Sequence, residues 1–187
     1  MAQRRGAGEW VRPFEDVDAD DVADVGGKNA SLGEMIGALS QRGIRVPSGF
    51  ATTAAAYRRF VEHNRLHEII AEQIDALHEG GASLQQAGSR IREAFLQGEF
   101  PDAIAAAIRH AYRDLAARCG REDLDVAVRS SATAEDLPEA SFAGQQETFL
   151  NVVGEEPLLD ASRSCYASLF TDRAISYRQE KGFDHEQ

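Results

Sequence analysis

The sequence predicts a helix-rich α+β fold with a small, mainly antiparallel sheet. Three observations carry that prediction. Apolar residues recur at helical spacing through most of the chain. Residues 124–129 alternate with a period of two instead. A second strand-like run, 147–153, follows a long loop. With 187 residues and 43% apolar content, the chain is long enough to bury a core.

Residues 1–12 read as a ragged start, and the acidic stretch from Asp16 to Asp24 runs into Gly26-Gly27. A helix is predicted with Asn29 as N-cap. Its face is Ala30, Leu32, Met35, Ile36 and Leu39, and it stops near Gly43. Val46 to Phe50 reads as extended, and Thr52 or Thr53 caps a helix carrying Tyr57, Phe60 and Val61. Leu66, Ile69, Ile70, Ile74 and Leu77 mark the next helical face, which Gly80-Gly81 ends; Leu84, Ile91, Ala94 and Phe95 mark another. Pro101 suits a helix start, where its missing N–H costs little. The stripe Ile104, Ile108, Ala111, Tyr112, Leu115 and Cys119 follows, closed by Gly120. In the first strand, Leu124, Val126 and Val128 face the core, which puts Arg129 on the opposite face. From Leu158 to Tyr177 the pattern is helical again.

Composition narrows the function classes. A formal net charge of −11 disfavours nucleic acid or an anionic membrane as the main partner. No apolar run approaches the length of about 18 residues that a membrane span needs. Arg4-Arg5 is not followed by the apolar stretch of a twin-arginine signal. Cys119 and Cys165 both fall on apolar helical faces and are expected to be buried, reduced thiols. These features fit a cytoplasmic protein.

In so acidic a chain, a polyphosphate ligand needs locally placed cations. Gly26-Gly27-Lys28 before a helix offers free N–H groups, the positive end of a dipole and a full charge. It is not a P-loop, because Val22 and Asn29 stand where Gly and Ser or Thr are needed. Arg129, followed by Ser130, Ser131 and Thr133, can clamp a phosphate; equally, it can pair with Asp125, Glu135 or Asp136. Gly144 through Thr148 can fold over the same ligand or simply connect two strands. Asp16, Asp18 and Asp20 do not form a calcium loop, since Asp21 and Gly27 occupy the positions that require Gly and Glu. His63 and His67 lie one helical turn apart without a third ligand, and Glu135, Asp136 and Glu139 read as a solvated loop.

Taken together, Val25 to Met35, Val46 to Thr53, Val128 to Asn151, Ala167 to Arg178 and Gly182 to His185 resemble the N-terminal ATP-binding region of the phosphoenolpyruvate synthase (pyruvate, water dikinase) family. The wider group includes pyruvate phosphate dikinase and rifampin phosphotransferase. The 129–136 run is shared with the rifampin enzymes, while Gly49 to Thr53 and Gly182 to His185 are closer to the synthase. The resemblance implies the first lobe of an ATP-grasp-type domain, occupying residues 1–187. Lys28 and Arg129 would contact ATP phosphates, with Gly144 and Thr148 in the loop over them. It also implies Mg²⁺, with ligands in a second lobe, and a histidine on a separate domain that relays phosphate to pyruvate; none of the five histidines here matches that role. The chain is thus expected to be the front piece of a longer enzyme, inactive alone and open to homodimerisation. A rifampin-type lobe and a stand-alone binding module are the alternatives.

Overall fold

The computed structural model describes residues 9–40, 42–44, 46–131 and 147–182. The elements run in the order β1 (Val11–Pro13), α1 (Val22–Val25), α2 (Gly27–Ser40), β2 (Phe50–Thr52), α3 (Ala54–His63), α4 (Leu66–His78) and α5 (Leu84–Gln97). They continue with α6 (Asp102–Arg118), β3 (Asp125–Arg129), β4 (Thr148–Val153), α7 (Glu155–Ser168) and α8 (Asp172–Lys181). The class is α+β and helix-rich. Among the described residues the strands form two separate antiparallel ribbons, β1–β2 and β3–β4, instead of one sheet. A two-stranded ribbon is marginal by itself. Here α6 packs on β1, and α7 packs on β3 and β4.

The predicted helical stripes build the main core. Phe60, Leu66, Ile70, Ile91, Phe95, Phe170 and Ile175 are buried together between α3, α4, α5 and the α7–α8 segment. Thr53 is the cap of α3: its hydroxyl accepts from the Ala56 amide at 3.2 Å and donates to the Glu9 carbonyl at 2.6 Å. A second cluster joins Val11, Ile104, Ile108, Tyr112, Val152, Leu158 and Leu159. Tyr112 also clasps the ends of the β3–β4 ribbon. Its hydroxyl donates to the Leu124 carbonyl at 2.6 Å and accepts from the Gly154 amide at 2.9 Å.

Four expectations are corrected, and one strand carries an irregularity that they did not address. Val11 belongs to β1 and is buried, so the start is ordered from at least residue 9. The second helix buries Gly27, Ala30 and Gly33, while Met35 is exposed. Its small face lets the backbone come close: a Cβ on Gly33 would lie 2.2 Å from the Val17 carbonyl oxygen. The last helical run is two helices, because Thr171 caps a new one by accepting from the Ala174 amide at 3.3 Å. Cys119 is exposed at the end of α6; Cys165 is buried, and burial, with Glu147 adding to it, pushes its thiol up to about 12. Finally, β4 carries a bulge. Val126 pairs with Val152 and Val128 with Phe149, so Leu150 and Asn151 together face Ala127. Asn151 takes the left-handed conformation (φ 56°), which Asn tolerates better than most residues.

Candidate functional site

The turn that carries Lys28 begins at Gly26, whose φ of 80° separates α1 from α2. Only a residue without Cβ fits there. A Cβ would lie 2.4 Å from both the carbonyl oxygen and Oγ of Ser131, at the end of β3. The Asn29 amide donates to that same Ser131 Oγ at 3.3 Å. Asn29 is therefore not the helix cap that the sequence suggests. It lies within the first turn of α2, and its Nδ2 donates to the Val25 carbonyl at 2.8 Å, serving an acceptor that the break between the helices would leave without its helical partner.

Strand β3 follows the predicted alternation, with Val126 and Val128 half-buried and Arg129 exposed on the other face. In the ribbon, Arg129 pairs with Thr148 and Val128 with Phe149. Contact therefore runs from the Lys28 turn through Ser131 to Arg129 and across to Thr148. Gly144 lies outside the described residues, as do Thr133, Glu135, Asp136 and Glu139. Asp125, one alternative partner for Arg129, lies 3.5 Å from Arg121.

This corner joins a half-buried lysine, an exposed arginine and the N-terminal end of a 14-residue helix in a chain of net charge −11. Such a set suits an anion with several oxygens. One donor is already used, because the Asn29 amide is committed to Ser131. Arg12 offsets part of the acidic stretch next to it. Arg12 reaches Asp21 through both terminal guanidinium nitrogens, contacts Asp24 at 3.4 Å and donates to the Asp16 carbonyl. The Arg12 hydrogen bond and charge hold the Asp21 carboxyl below its ordinary value. Among the described residues no three His, Cys, Asp or Glu side chains converge on a metal-sized site.

A shallow groove of about 560 Å³ lies on the Glu147 and Phe149 side of β4, lined also by Arg92, Ser164, Thr171 and Arg173. Its Arg92 is committed to the Phe170 carbonyl at 2.7 Å and to Asp172 at 3.2 Å. Sequence reading missed the Ser131–Asn29 bond, because nothing local marks a contact between residues 102 positions apart.

The family "Pyruvate phosphate dikinase, AMP/ATP-binding domain" matches residues 22–187. The chain belongs to that family. Over 181 residues it is 52% identical to the phosphoenolpyruvate synthase of Neisseria meningitidis serogroup B, covering 96% of this chain and 23% of the relative. It is 48% identical to that of Escherichia coli K12, again over 96% of this chain and 23% of the relative. The Aquifex aeolicus synthase is 50% identical over 173 residues, 92% of this chain and 20% of the relative. The chain thus spans 20–23% of the length of these curated relatives. Both corner segments, 26–29 and 128–131, lie inside the AMP/ATP-binding match. Among the described residues no helix is long and apolar enough to cross a membrane.

Proposed function

We propose that the chain is the ATP-binding portion of a phosphoenolpyruvate synthase, shaped as the first lobe of an ATP-grasp-type domain. One observation carries this reading: the Gly26–Asn29 turn meets Ser131, two residues beyond Arg129, which supports a shared site for Lys28 and Arg129. In the complete enzyme, ATP, pyruvate and water become AMP, phosphoenolpyruvate and phosphate through a phosphohistidine on a domain outside this chain. The pyruvate site and the Mg²⁺ ligands belong to other parts of the enzyme as well.

Lys28 and Arg129 neutralise phosphate oxygens from two sides, Lys28 as a point charge and Arg129 as a planar fork. Thr148 stands opposite Arg129 on β4, which supports the same role for it. Phosphoryl transfer asks the protein mainly for positioning and charge neutralisation, and this corner supplies both. The exposed apolar residues Leu150 and Val153 on the same ribbon favour self-association of the chain when it stands alone.

Calorimetric titration with ATP tests the assignment. Lys28→Ala and Arg129→Ala are each expected to weaken binding by about tenfold or more. Unchanged affinity in both variants would overturn it. The chain alone is expected to form no AMP from ATP and pyruvate.

A further inference from the structure

We infer that Ser131 is a positioning residue for nucleotide binding: its hydroxyl latches the Lys28 turn to the end of the Arg129 strand. The inference rests on the ATP-binding reading above and adds a residue to it. Lys28 and Arg129 sit on elements far apart in sequence, so something must fix one cation relative to the other. Large side chains do not do this on the α2 side, where only Gly27, Ala30 and Gly33 are buried. A face so small packs through close backbone approach, as where Gly33 meets the Val17 carbonyl, and does not itself reach Arg129.

The end of β3 supplies the missing constraint. Ser131 Oγ accepts the Asn29 amide at 3.3 Å, and the Ser131 backbone lies against Gly26 so closely that a Cβ there would meet its carbonyl oxygen at 2.4 Å. Asn29 is held a second time through Nδ2 to the Val25 carbonyl at 2.8 Å. The residue that follows Lys28 is therefore pinned to both α1 and β3. Ser131 stands two positions after Arg129, so the latch sets both cations on one frame. The hydroxyl acts through the turn and not through the ligand.

A double-mutant cycle on ATP binding tests this, using the chain with Lys28→Ala, Ser131→Ala and both together, each checked for folding by thermal melting. Ser131→Ala is expected to weaken ATP binding about fivefold, the loss of one hydrogen bond's positioning, while the melting temperature moves by no more than about 4 °C. Once the turn is unlatched, Lys28 is no longer aimed. The double variant is therefore expected within about twofold of Lys28→Ala alone. Gly26→Ala should give the same loss by pushing the two segments apart, also without adding to Ser131→Ala. Losses that multiply in full would overturn the latch and leave the ATP reading intact. ATP affinity that ignores Lys28→Ala would overturn the ATP reading, and this inference with it.

Discussion

Phe60, Phe95 and Phe170 are wholly buried between α3, α5 and the α7–α8 turn, with ring centroids 6.1 Å apart for Phe60–Phe95 and 5.1 Å for Phe95–Phe170. At the corner of α2 and β3 the contact is instead backbone on backbone plus one hydroxyl, with Lys28 half-buried and Arg129 exposed. Interdigitated rings give the helical body redundancy, so its shape follows from many contacts of similar kind. The corner is held differently, by a glycine at a close approach, the Asn29–Ser131 hydrogen bond and a strand register. The difference predicts that stability and nucleotide binding respond to different substitutions.

The largest effect on stability is expected in the body. Phe60→Ala should cost about 3–5 kcal/mol, read from denaturant unfolding, because the surrounding rings cannot collapse into the space. ATP affinity measured well below the transition should stay within about twofold. Loss of ATP binding in that still-folded variant would erase the distinction between the regions. Lys28→Ala and Arg129→Ala should do the reverse, shifting stability by no more than about 0.5 kcal/mol while weakening ATP binding.

The smallest effect concerns the edge of the corner. Arg12 lowers the Asp21 pKa from its ordinary value of 3.8. A carboxylate held low contributes stability that is fully present above its unfolded pKa and is lost as pH falls through the folded value. Asp21→Asn should therefore cost about 1 kcal/mol near pH 7, and the gap from the parent should close below about pH 4. A gap constant down to pH 2 would mean that the pair contributes by packing rather than by charge.

Much of the body is legible in the sequence, because Leu66, Ile70 and Ile74, or Ile104, Ile108 and Tyr112, announce a helical face by spacing alone. The cap of α3 is legible to within one residue, Thr52 or Thr53, because a cap is a local device; the structure places it at Thr53. The errors fall where tertiary contact overrides local pattern. Met35 fits a helical stripe, yet α2 packs through its glycines because Val17 needs the room. Asn29 has the chemistry of an N-cap, but α1 lies just ahead of it and takes its side chain at Val25. The bulge at Leu150 and Asn151 keeps Phe149 and Val152 both inward, a phase change that strict alternation does not announce. At the site, each motif could be read separately. Their meeting is implied only by the family resemblance, since Asn29 and Ser131 share no local signal.

Amide hydrogen exchange in the presence of ATP or adenosine tests the central claim most directly, because only ATP brings phosphates. The account predicts that ATP slows exchange at residues 26–29, 128–131 and 148 and that adenosine leaves those segments unchanged. Equal protection by adenosine, or protection confined to α3–α5, would contradict a phosphate site where the Lys28 turn meets β3.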